Sequence, residues 1–328
     1  MFAHDPHLPH DPLAAVTHAA PHDYYRRLAD GPPLRFDAGL DCWVAAGAGV
    51  KAVLDHPDCH VRPFGQPVPL HLLGTPCGAI FAELVRMNDG ARHAAPKQVL
   101  MQLLAGIDLA RLHDETARLA RDHLPGSAAE LNQLMFDVPL YAVAQMLGFA
   151  AADRPQIARW TRDFVAAMPV QADQAVVARA QAAAMGLQDT FSALHPGARP
   201  ALRDNLIGLL VQTCEATAGL LGNEVLALRK DNSEPVLAIH NTRRYAACDL
   251  ELDGMAIRQG QMILVLLASA GLGFGHGAHR CPGQAVAQTI VAAILSAWSG
   301  AIGRLALDWH YRLSPNARIP LFAEGAAA

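Results

Sequence analysis

The stretch GFGHGAHRCPGQAVA, Gly273–Ala287, gathers three glycines and two histidines in the eight residues before a single cysteine, Cys281. A glycine-rich loop can cradle phosphate. Here GLGFGHG breaks the G-x-G-x-x-G spacing at His276 and opens no helix in the required register. Zinc is a second option, because His276, His279 and Cys281 are close in sequence. A structural zinc site takes four ligands, usually with paired cysteines, and no fourth ligand lies nearby. The plain alternative is a small buried cysteine with no chemistry.

The elements that must position this loop are mostly helical. Residues 1–12 are rich in Pro and His and are expected to form a disordered arm. Helical patterns run over Ala14–Leu28, a short stretch stopped by Pro57, Ala79–Met87, Pro96–Gly106, Asp108–His123, Glu130–Gly148, Asp153–Met168 and Ala172–Leu194. LRFDAGLDCWVAAG reads as a strand hairpin, and His60–Gly78, with four prolines, as a long irregular connection. ALRDNLIGLLVQTCEATAGLLGNEVLALRK is apolar on more than one face, which marks a long buried helix. CDLELDGMAIRQGQMILVLLA is strand-like with a hairpin at Asp253–Gly254. A helix from about Pro282 to Ser299 and a closing strand pair in LDWHYRLSPNARIPLF complete the chain.

The net charge of −4, from 26 Lys and Arg against 30 Asp and Glu, gives no reason to expect nucleic acid or an anionic membrane as partner. Six dispersed cysteines form no CxxC pair, and the N-terminus lacks the apolar core of a signal peptide. The apolar run Met262–Leu267 is too short to span a bilayer. These features lead to the expectation of a cytoplasmic protein.

The spacing Phe274-x-x-Gly277-x-x-x-Cys281-x-Gly283 resembles in full the cysteine-loop signature of the cytochrome P450 family, the haem-thiolate monooxygenases. The resemblance extends, with gaps, from about Asp11 to Phe322. It implies a mainly α, single-domain cytochrome P450-like fold with small β-sheet portions, and one haem-binding domain over 13–328. It makes Cys281 the thiolate ligand of haem b iron, which favours O–O cleavage. Gly275 and Gly277 would let backbone N–H groups approach the sulfur, and Phe274 would shield it. LVRMNDGARHAAPK resembles the segment that holds a haem propionate, which here implies His93 and Lys97. NTRRYAACDLEL resembles the strand that offers an arginine, which implies Arg244; His279 matches a further propionate contact. QTCEATAGLLGN is similar to the oxygen-binding segment: Glu215 falls where the family keeps an acid, Ala216 where most members keep a threonine, and Thr217 follows.

Two departures stand out. The family carries Glu-x-x-Arg before the arginine-bearing strand, whereas here the candidates Glu224 and Arg229 are five apart, on different helix faces, and Glu234 is followed three later by Leu237. Only Gly271–Gly273 separates the strand ending near Ala270 from the cysteine loop, a reach of ~10 Å. That short link is expected to fray the strand or shift the loop. The resemblance implies a monooxygenase inserting one oxygen atom from O2 into a small apolar organic substrate, served by a ferredoxin or flavodoxin and its reductase. The alternatives are a haem protein of the same fold without normal turnover, acting as sensor, scaffold or peroxide-driven enzyme, and a haem-free helical binding protein.

Overall fold

The computed structural model describes residues 9–229 and 236–325. In chain order its elements are α1 (Ala14–Thr17), α2 (His22–Ala29), β1 (Leu34–Asp37), β2 (Cys42–Ala45), α3 (Ala48–Asp55), β3 (Cys59–His60), α4 (Pro76–Glu83) and α5 (Gly90–Ala105). Then follow α6 (Leu109–Arg121), α7 (Ala128–Met146), α8 (Arg154–Ala166), α9 (Gln174–Leu194) and α10 (Pro200–Arg229). Strands β4 (Thr242–Ala246), β5 (Leu250–Leu252), β6 (Met255–Ile257) and β7 (Met262–Val265), helix α11 (Gln284–Ile302), and strands β8 (Leu307–Tyr311) and β9 (Pro320–Glu324) complete the series. The chain is mainly α with small sheets, as expected. It divides into two compact units. The first draws on described residues of Met1–Gly65, Gly222–Cys281 and Asp308–Phe322, the second on those of Gln66–Leu221, Pro282–Leu307 and Ala323–Ala328.

The first unit is built on a five-stranded sheet ordered β1-β2-β7-β4-β3. Its middle strand, β7, runs parallel to β2 and antiparallel to β4. Ile263, Leu264 and Val265 are buried in succession, so the strand is apolar on both faces, the pattern of a covered central strand. Helix α3 packs Val50, Val53 and Leu54 into the cluster that holds Ile263 and Val265. The β5–β6 hairpin turns at Asp253 and Gly254 with φ of 50° and 73°, the left-handed pair that an Asp-Gly turn supplies. The helical stretch expected over Ala14–Leu28 is two helices. Pro21 sits at the N-cap of α2 and interrupts the run. Residues 1–8 of the expected arm lie outside the described residues. Beyond them, Pro9 and Pro12 are buried, and Asp11 Oδ1 accepts from the Leu13 and Ala14 amides at 2.7 Å each.

A buried polar network joins distant parts of this unit. Arg318 lies 6 % exposed; its Nη1 donates to the Val16 and His18 carbonyls at 2.9 and 2.7 Å, and its guanidinium stacks 3.5 Å over the Tyr311 ring. The Tyr311 hydroxyl donates to Asn223 Oδ1, whose amide donates to the Arg318 carbonyl. Beside them His240 Nδ1 lies 2.8 Å from the Tyr25 hydroxyl. Burial, then the nearby positive charge of Arg318, depresses the His240 pKa to about 3.

In the second unit, α11 packs against α6 and α7, and Trp298 donates to the Ala120 carbonyl at 3.0 Å. By length and composition α11 could also cross a membrane, the one such helix among the described residues; its Ile290, Ile294 and Trp298 are fully buried. Helices α8 and α9 approach closely because Gly186 faces the Trp160 ring, where a Cβ would fall 2.6 Å from a ring carbon. Helix α5 begins at Gly90 rather than at the expected Pro96, which sits inside it. Helix α10 runs for 30 residues with Leu206, Ile207, Leu210, Val211, Cys214 and Ala218 all buried, the burial on several faces that its sequence predicts.

The His240 environment predicts an acid limb. The unfolded chain takes up a proton near pH 6.5 that the folded ring refuses until about pH 3, so stability falls as pH drops through that window. The slope is about 1.4 kcal/mol per pH unit below 6.5. In urea unfolding at pH 7.5 and pH 5, His240→Gln should lose less stability than the parent chain, by about 2 kcal/mol. Equal losses would show that His240 is not held neutral.

Candidate functional site

The cysteine loop follows β7 directly. Strand β7 ends at Val265, short of the expected end near Ala270; its four residues all pair with β4, and Ile263–Val265 pair with β2 as well. The short link is absorbed instead by a 3-10 turn over Leu267–Ala270, capped by Gly271 at φ 66°. The loop then folds back on itself. The Gly275 amide donates to the Leu272 carbonyl at 2.7 Å, Arg280 to Gly277 at 3.1 Å, and Cys281 to Phe274 at 2.9 Å. Gly275 and Gly277 have φ of 75° and 61°, conformations that side chains disfavour. His279 ends a short 3-10 turn that starts at Gly277, and Phe274 is half-buried.

Cys281 is exposed at the end of this loop. That removes the reading of a small buried residue. Cys42, Cys59, Cys77 and Cys214 are buried, and burial pushes the thiols of Cys59 and Cys77 up to about 11 and about 12. Those groups stay protonated and inert. Cys248 is exposed, but its thiol is also raised, Asp58 contributing. Cys281 thus stands apart as the exposed thiol in a folded-back glycine loop. Among the described residues no three His, Cys, Asp or Glu side chains converge as metal ligands. Gly283 is the N-cap residue of α11, whose first amides lack helical partners.

Arg244 lies on β4 opposite Ile263, only 4 % exposed, with Nη1 donating to the Arg243 carbonyl at 2.9 Å. These residues, with Phe274, Gly275, Gly277, His279 and Cys281, belong to the first unit. His93, Lys97, Glu215, Ala216, Thr217 and Gly283 belong to the second. On α5, His93 and Lys97 are one turn apart and both buried, at the head of a stripe that continues through Leu100 and Leu104. An imidazole and an ammonium in such a stripe favour an anionic partner. On α10, Glu215 and Ala216 are half-buried and Thr217 is buried. The Thr213 hydroxyl bonds back to the Leu209 carbonyl at 2.8 Å.

Glu224 is half-buried, its carboxyl pushed up by burial, and Arg229 is exposed. Glu234 lies outside the described residues. One residue near the loop, Asp55, escaped sequence reasoning. Asp55, at the end of α3, lies 3.1 Å from His276 Nε2. They are 221 positions apart, and no local signal could have joined them. The exposed thiol and the buried basic groups are of the types that suit a metal porphyrin with acidic side chains.

No profile of a known protein family matches the chain, and no curated protein matches it. Solved structures do. CalO2 aligns at 20 % identity over 96 % of this chain and 99 % of its own, with a TM-score of 0.76. P450BioI, crystallised with an acyl carrier protein bearing hexadec-9Z-enoic acid, aligns at 18 % identity over 92 % and 97 %, TM-score 0.67. The cytochrome P450 enzyme CxnD, for C–S bond formation in chuangxinmycin biosynthesis, aligns at 19 % identity over 93 % of each chain, TM-score 0.66. The chain has the cytochrome P450 fold.

Proposed function

We propose that the protein is a haem-thiolate monooxygenase of the cytochrome P450 family, with residues 13–328 acting as one haem-binding domain. The observation that carries this is Cys281, an exposed thiol at the end of a folded-back glycine loop, in a chain of this fold. Bound haem would supply an iron that activates O2 for transfer of one oxygen atom to an apolar organic substrate.

The chain's own groups divide the remaining work. Cys281 provides the anionic sulfur, and the amides at the start of α11 favour its deprotonated state. His93, Lys97, Arg244 and His279 neutralise and orient the propionates; burial of the first three strengthens each charge-assisted bond. Glu215 and the Thr217 hydroxyl would hold and pass protons beside the oxygen site. Ala216 supplies no hydroxyl, so Thr217, an ordered water or a substrate hydroxyl takes that role.

The substrate side is assigned to the His60–Gly78 connection and to the stretch Asp163–Leu194, where Phe64, Leu70, Leu73, Val170 and Met185 are exposed apolar residues. P450BioI and CxnD show that this fold serves a carrier-linked fatty acid in one protein and C–S bond formation in another. Electrons would come singly from a ferredoxin or flavodoxin with its reductase in the cytoplasm. The second reading, a haem protein without normal turnover, draws on Ala216 and on the missing Glu-x-x-Arg.

The test is the difference spectrum of the reduced protein with carbon monoxide. A strongly red-shifted Soret band supports thiolate ligation, and a band typical of histidine or displaced thiol refutes it. Cys281→Ser should abolish the red-shifted band, since a serine oxygen is a harder, less electron-rich ligand. A spectrum like the parent's would rule out Cys281 as ligand. Lys97→Met should weaken haem retention about 10- to 100-fold, the worth of one buried charge-assisted bond. Transfer of haem to apomyoglobin would report the rate. Ala216→Thr should direct more reducing equivalents into product and fewer into peroxide. Unchanged peroxide release would place position 216 away from the oxygen site.

A further inference from the structure

We propose that Asp55 is a positioning residue for the Cys281 loop, acting through His276. The proposal rests on Cys281 being the haem ligand. Three observations carry it. Asp55 Oδ2 lies 3.1 Å from His276 Nε2, five residues before the cysteine. Gly277, at φ 61°, comes so close to the end of α3 that a Cβ there would collide with Asp55 Oδ1 and stand 3.5 Å from the Leu54 carbonyl. Helix α3 is itself a fixed post, because Val50, Val53 and Leu54 are buried in the sheet's core cluster.

The loop's backbone bonds, Gly275 to Leu272, Arg280 to Gly277 and Cys281 to Phe274, set its internal shape. They do not by themselves set where that shape stands. The Asp55–His276 bond and the Gly277 contact tie it to α3. The pair is partly exposed, His276 at 35 % and Asp55 at 53 %, so it adds little to global stability. Its effect is on position, to which a metal ligand is far more sensitive. The glycine at 277 serves both ends: it permits the left-handed turn and leaves room for the carboxylate.

The experiment compares the parent protein with Asp55→Ala, His276→Ala, the double variant and Asp55→Asn. The first readout is the ratio of the red-shifted to the displaced-thiol Soret band in the reduced carbon monoxide complex, and its drift on warming. The second is amide hydrogen exchange of the 272–284 segment, which needs no haem. Each alanine variant should shift the ratio severalfold toward the displaced-thiol band and speed exchange of the segment. The double variant should be no worse than either single one. The melting temperature should hardly move. Asp55→Asn, which keeps an acceptor oxygen, should recover part of the parent ratio. An unchanged ratio and unchanged exchange in Asp55→Ala, beside a red-shifted band in the parent, would overturn the brace and leave the haem-thiolate reading standing. A parent without the red-shifted band would refute that reading. The exchange data would then still decide the brace: faster exchange in Asp55→Ala supports it, and equal exchange overturns it.

Discussion

Four residues of β7 constrain much of the first unit. Three of them, Ile263, Leu264 and Val265, are hydrogen-bonded to β2 on one side and β4 on the other, and all three are buried. A strand held on both edges and apolar on both faces cannot slide. A slip of one residue would carry Ile263 and Val265 out of the cluster they share with α3 to the opposite face of the sheet. It would also move the point where the chain leaves for the cysteine loop. The 3-10 turn after β7 and the left-handed Gly271 convert that fixed departure point into a fixed start for the loop.

Burial then sorts chemically similar groups into different roles. Four cysteines lie in the core, where a thiolate would be desolvated, and Cys281 is exposed in a loop dense with amides and glycines. Basic side chains are sorted in the opposite sense. Most Lys and Arg residues of a folded chain stay in water, yet His93, Lys97 and Arg244 are drawn inside. Such placement is costly unless an anion compensates it.

What could be read in the sequence was whatever is decided locally. Glycine at 275 and 277 signals a left-handed backbone with no other residue needed. Asp253–Gly254 signals its hairpin in the same way, and α10 declares itself by apolar residues on more than one face. Two local signals were misread. Pro21 ends one helix and begins another, and Pro96 lies inside a helix because tertiary packing of the His93–Leu104 stripe outweighs the lost hydrogen bond. The strand expected to reach Ala270 stops at Val265: its two ladders hold up to that residue, and a 3-10 turn over Leu267–Ala270 takes up the distance to the loop. Contacts between remote residues left no trace. Neither Asp55 with His276 nor Tyr25 with His240 has a sequence pattern, since their separations exceed two hundred positions.

The Arg318 bonds to Val16 and His18 span 302 and 300 positions, and they impose an order on biosynthesis. A ribosome adding 5–20 residues per second needs on the order of 15–60 s to travel that distance. Throughout that interval the carbonyls that Arg318 will engage have only water or transient partners. The run 66–221 of the second unit emerges as one uninterrupted piece, so its helices can pair while the first unit is still open. The segment around Val16 and His18 is thus made long before Arg318 can secure it. A chain arrested before residue 318 would carry the Val16–His18 segment without its Arg318 anchor, open to a chaperone or protease.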